Sequence, residues 1–75
     1  MSYTPADPIL TKRVDFASDT IIYRGEAVVG SSEGDPVWRI KKIILGADDD
    51  VTELWADGVT DFTKVWSNRL SLSYI

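Results

Sequence analysis

The chain has 75 residues, 44% of them hydrophobic, with 12 acidic and 8 basic side chains and a net charge of −4. It contains no cysteine and no histidine, which removes disulfides, the usual structural zinc sites, histidine bases and any Ser-His-acid triad. The length sets an expectation of one domain, and the dispersed basic residues argue against nucleic acid as the main partner.

Residues 1–9, MSYTPADPI, are expected to form an extended N-terminal arm ahead of a single β domain at 10–75. Pro5 and Pro8 lack amide donors and bias their predecessors toward extended backbone. Such an arm suits docking on a neighbour, which makes Tyr3, Pro5 and Pro8 interface candidates. No basic start leads into an apolar run, so a secretory signal is not expected. No apolar run approaches the roughly 18 residues of a membrane span.

RVDFA (13–17) alternates, with Val14 and Phe16 on one face, and Ser18-Asp19 is a turn signal. TIIYRGEAVVG (20–30) begins as a β-branched, aromatic strand. Gly25 inside it implies a bulge or a close backbone approach. GSSEGDP (30–36) is dense in turn formers and reads as the most mobile internal loop.

VWRIKKIIL (37–45) is the strongest strand pattern, with Trp38 and Ile40 on one face. Two readings fit its second half. A β-bulge near Lys41-Lys42 would return Ile43 and Leu45 to the Trp38 face. Alternatively Ile44 faces inward and the end of the strand is buried on both sides. GADDD (46–50) is a polar turn; its three adjacent acids lack the alternation of a calcium loop and read as solvated. VTELWA (51–56) is expected to pair back on 37–45 as a hairpin.

Asp57-Gly58 is a strong tight-turn signal. Phe62, Val65 and Trp66 stand at i, i+3 and i+4, which predicts one short helical turn near 60–66, with Asp61 and Lys64 as neighbours on it. Leu70, Leu72 and Tyr74 alternate with serines and predict a final strand. The fold expected is mainly β: a small single-domain antiparallel β-sandwich or open barrel of five to six strands with that one helical turn.

A core this small contributes ~3–5 kcal/mol and small scaffolds usually add a staple. With disulfide and zinc unavailable, oligomerisation remains. The three Trp, three Tyr and two Phe fit that reading, since aromatics are enriched at interfaces. Trp38, Trp55, Trp66, Arg69 and Tyr74 complete the set of interface candidates, although Arg69 also suits a structural role, paired with an acid or stacked on Trp66. No residue set points to a catalytic site, a cofactor or a metal.

Two segments, DPVWRIKKI (35–43) and WADGVTDFTKVWSNRLSLSY (55–74), resemble a small module of tailed-bacteriophage virion proteins, in which a "PVWRI" strand precedes "WADG…F…VW…R.SLSY". The matching positions are Pro36, Val37, Trp38, Arg39, Ile40, Trp55, Ala56, Asp57, Gly58, Phe62, Val65, Trp66, Arg69, Leu70, Leu72 and Tyr74. IIYRGEAVVGSSEGDP (21–36) is similar to the lead-in of such proteins. The resemblance implies a non-enzymatic structural component of the virion (tail, neck or capsid surface), made in the host bacterial cytoplasm. Its partners would be other copies of itself and other virion proteins. It brings no catalytic residues, cofactor or metal. A competing reading is a small adaptor or receptor-binding module that recognises a peptide or carbohydrate through exposed tryptophans.

Overall fold

A computed structural model describes residues 9–75. Of the expected arm only Ile9 falls within that range; Tyr3, Pro5 and Pro8 lie outside the described residues. Strands β1 (Leu10–Phe16), β2 (Ile21–Val28), β3 (Pro36–Leu45) and β4 (Val51–Trp55) form an antiparallel meander in the order β1-β2-β3-β4. The two-residue β5 (Lys64–Val65) pairs with β3 at Pro36 and Trp38. β3 therefore divides one edge between two partners, β4 along residues 41–45 and β5 along 36–38. The mainly β, antiparallel expectation holds, as one five-stranded sheet without barrel closure.

Residues directly opposite across paired strands share a face. The registers place Tyr23, Gly25 and Ala27 of β2 beside Trp38, Ile40, Lys42 and Ile44 of β3, with Leu54 of β4 on the same side. The core sits on this face. Tyr23, Ala27, Trp38, Ile40, Ala56 and Trp66 are buried, and Ile21, Val37, Leu72 and Tyr74 pack around them. The C-terminal segment from Lys64 onward is laid over this face where a second sheet would lie in a sandwich.

The hairpin between β3 and β4 follows the sequence reading, with Leu45 opposite Val51 and Lys41 opposite Trp55. No bulge occurs at Lys41-Lys42: the register runs unbroken from Glu26↔Arg39 to Ile21↔Ile44. Ile44 lies on the core face and Ile43 on the other, as in the second of the two readings, but the strand end is not buried on both sides: Ile43 and Ile44 are part-buried and Leu45 is exposed. The irregularity in β3 falls instead between Pro36 and Trp38, against β5. Proline cannot donate to a ladder, so the register shift belongs there.

The helical turn expected near 60–66 begins only at Trp66 and runs to Ser71 as a 3-10 helix. Phe62, Val65 and Trp66 do not share a face. Val65 lies in β5, Trp66 is buried, and Phe62 packs on Arg39 on the opposite side of the sheet. Lys64 pairs with Asp57 at 3.1 Å rather than with Asp61. The final strand over Leu70–Tyr74 is also replaced: only Tyr74 bridges, to Ala56. Local polar groups account for this. Ser71 Oγ donates to Asn68 O at 3.0 Å, and the Arg69 guanidinium donates to Trp66 O at 3.2 Å. Such bonds offer the backbone an alternative to a ladder.

The 30–36 loop, read as mobile, is tied at both ends and to the core. The buried Trp38 indole N–H donates to Ser32 O at 2.9 Å, and Ser67 N donates to Glu33 O at 3.1 Å. In the 46–50 turn, Asp48 and Asp49 both take positive φ, 60° and 63°, a region that Asp tolerates better than most residues.

Candidate functional site

Two groups of side chains bear on function, one on each side of the sheet. On the core face, Trp38 and Trp66 meet with ring centroids 5.8 Å apart. Trp66 also carries the Arg69 guanidinium 4.6 Å from its ring centroid. Arg69 Nε donates to Asp15 Oδ2 at 2.9 Å, which ties the C-terminal segment to β1. Tyr74 packs on Tyr23 at 5.5 Å, and its hydroxyl donates to Arg69 O at 2.7 Å. Burial, with the neighbouring Tyr23 adding to it, pushes the Tyr74 phenol well above its usual pKa.

This arrangement corrects part of the interface expectation. Trp38 and Trp66 are consumed by the core, 0% and 3% exposed, and have no surface for another molecule. Arg69 and Tyr74 bind the chain to itself. Arg69 does both things foreseen for a structural arginine, pairing with an acid and stacking on Trp66. The physical reason is size: a single sheet of this width closes its core only with the largest side chains it has. An adaptor that reads ligands through exposed tryptophans therefore loses two of its three.

Trp55 is the exception. The register puts it on the second face, opposite Lys41, and it is half-buried beneath Lys41 and Arg39, whose charges stand 5.3 and 5.7 Å from its ring centroid. Phe62 packs on Arg39 at one end of this face, and among the described residues no strand or helix covers the rest. Across the strands it presents the row Phe16, Ile22, Ile43 and Glu53, then Val14, Arg24, Lys41 and Trp55, then Lys12, Glu26 and Arg39. Phe16 is 75% exposed and Val14 and Val51 about half exposed.

Ion pairs cross the same surface. Glu26 takes Arg39 Nε at 3.0 Å and Lys12 Nζ at 4.0 Å, and Glu53 takes Lys41 Nζ at 2.8 Å. The hydrogen bond and charge of Lys41 hold the Glu53 carboxyl below its usual pKa, with Arg24 adding a smaller pull. Arg24 Nε is out of water with no hydrogen-bond partner among the described residues. Orphaned buried donors are rare because a lost hydrogen bond there costs about 1–3 kcal/mol. Among the described residues no cluster of three or more acidic groups is placed to hold a metal ion.

A face that is exposed at Val14, Phe16 and Val51, part-buried at Ile22, Ile43 and Trp55, and threaded with arginine has the composition of a protein interface. The candidate set from sequence did not include Val14, Phe16, Ile22, Arg24 and Ile43, which the registers place on this face. Their signal was present in the Val14/Phe16 alternation and in the unbroken Ile43-Ile44-Leu45 run, which is apolar on both faces. Compared with known protein families, curated proteins and solved structures, the chain shows no match.

Proposed function

We propose that this chain is a non-enzymatic structural component of a tailed-bacteriophage virion, in the tail, the neck or on the capsid surface. It assembles by oligomerisation and by docking on other virion proteins. One structural observation supports the assembly half of this reading above all others. The sheet has one face closed by the C-terminal segment and one face open, and the open face carries Phe16, Val14, Ile22, Ile43 and Trp55. Apolar residues left on an uncovered sheet face are surface that a partner can bury. The virion half rests on the resemblance of 35–43 and 55–74 to the phage module. The fold agrees with treating those two segments as one unit: 55–74 supplies the cover over Trp38 and Ile40.

Mass spectrometry of purified particles tests the proposal. The chain is expected in intact particles at a copy number that matches a symmetric element of the head, neck or tail. Its presence in the infected-cell extract together with its absence from gradient-purified particles would overturn the virion reading.

A further inference from the structure

We infer that β1 is a self-complementary edge, through which two copies of this chain pair antiparallel about a two-fold axis at Val14 and join their sheets into one. The inference rests on the assembly reading above and names its partner, a second copy. Among the described residues nothing pairs with the outer edge of β1, which bonds only to β2. An open edge of seven residues is a template for another strand.

The backbone groups that point outward follow from the ladder. Leu45 N donates to Thr20 O, and bonded pairs alternate from there, so Ile22, Arg24 and Glu26 direct their amides and carbonyls toward β3. Tyr23 and Gly25 direct theirs toward β1, where they meet Asp15 and Arg13. The amides and carbonyls of Lys12, Val14 and Phe16 are therefore the free ones. A two-fold at Val14 pairs Val14 with Val14 and Lys12 with Phe16, so the free groups of one copy meet the free groups of the other.

The side chains select this register over those centred on a charged residue. The edge reads Lys12-Arg13-Val14-Asp15-Phe16. About Val14, each Arg13 comes opposite Asp15 of the other copy and each Lys12 opposite Phe16. A shift of the axis to Lys12, Arg13 or Asp15 sets like charges opposite each other, which is unfavourable in a strand pair. Arg13 is available for the new pairing, because its present partner Glu33 is 3.9 Å away and both are half exposed. Asp15 would then lie between Arg69 of its own chain and Arg13 of the second copy. Phe16 and Val14, among the most exposed apolar residues of the sheet, meet Lys12 and Val14 of the second copy. The two open faces become continuous across the axis.

The absence of cysteine gives a clean test. Under mild oxidation the Val14→Cys protein is expected to form a disulfide dimer, since opposite residues of a bonded pair have Cα atoms about 5.5 Å apart, within disulfide range. Lys12→Cys should not cross-link, because the two copies of residue 12 are four positions apart. Arg13→Glu should weaken dimerisation of the cysteine-free chain at least tenfold in sedimentation, with its melting temperature as a monomer unchanged. A monomeric Val14→Cys chain, or a Lys12→Cys chain that cross-links as readily, would overturn the inference. Either result leaves the virion reading standing if the chain is found in particles. A cross-linked dimer that is absent from particles sinks the virion reading alone.

Discussion

The six-membered ring of Trp66 fills the space that a side chain on Gly25 would need: a Cβ at Gly25 would stand 2.5 Å from Cε3 of Trp66 and 3.2 Å from Cε3 of Trp38. The glycine is what allows the C-terminal segment to lie directly on the backbone of β2. Gly25→Ala should therefore destabilise the fold by about 1–3 kcal/mol, the usual cost of overpacking. The ring cannot retreat easily, since Trp38 and Arg69 hold its two sides. Chemical denaturation reads the loss. Pairing Gly25→Ala with Trp66→Leu should recover part of it, and strictly additive single and double variants would contradict the contact.

Gly58→Val should cost on the order of 1 kcal/mol or more. Asp57 and Gly58 have φ of 55° and 69°, and Val59 N donates to Ala56 O at 3.2 Å. Positive φ at both central positions is the signature of a type I′ turn, which suits Asp-Gly and resists β-branched residues. A valine would also crowd Ile75, whose Cγ1 lies 3.2 Å from the Cβ position. Thermal melting of the variant checks this, and an unchanged midpoint would contradict the turn geometry.

Stability should fall in alkali through Tyr74. Its phenol titrates higher in the folded chain than in the unfolded one, because of burial. Above the unfolded value, about 10, the unfolded state holds fewer protons than the folded state. The stability of folding then decreases with rising pH. Below about pH 10 the contribution is fully present. Tyr74→Phe should flatten that alkaline slope and, at neutral pH, cost about 0.5–1.5 kcal/mol for the lost bond to Arg69 O. Urea titrations between pH 7 and 11 would measure both effects.

Arg69→Lys should destabilise by about 1 kcal/mol or more, although it keeps the charge. One guanidinium donates to Asp15 and to Trp66 O while it stacks on the Trp66 ring. A lysine ammonium is a single point donor and cannot serve all three. Asp15→Asn tests one arm of the same unit and should cost less than Arg69→Lys, as read by denaturant midpoints.

The parts of this fold set by period and turn chemistry were legible in the sequence. The β3–β4 hairpin followed from alternation on both sides of a polar turn, and the Asp57-Gly58 turn followed from its residues. Gly25 was identified as a bulge or a close approach, and the approach of Trp66 decides between them. What was not legible depends on distant partners. Phe62, Val65 and Trp66 fit a helical spacing, but pairing of Val65 with Pro36 draws that segment into a strand. Leu70 and Leu72 fit a strand spacing, but the bonds of Arg69 and Ser71 wind it into a 3-10 helix. The three tryptophans were read alike, as interface candidates. Only the register of β3 against β4 separates Trp38, inside, from Trp55, on the open face.

Ile43→Thr separates assembly from folding. Ile43 stands mid-strand on the open face, opposite Ile22 on one side and Glu53 on the other. Threonine keeps the β-branched shape that strands favour, and it adds a hydroxyl that a wet face accepts. Ile43 is only part-buried, between its strand neighbours, so the melting temperature should drop by several degrees at most, for a cost of about 1 kcal/mol. If this face docks on other virion proteins, burying the hydroxyl without a partner penalises the interface. The expected outcome is a well-folded chain whose incorporation into particles falls at least tenfold when it competes with the unaltered chain during assembly. Quantitative mass spectrometry of particles assembled from equal amounts of both chains measures the ratio, and equal incorporation would show that this face does not carry the docking.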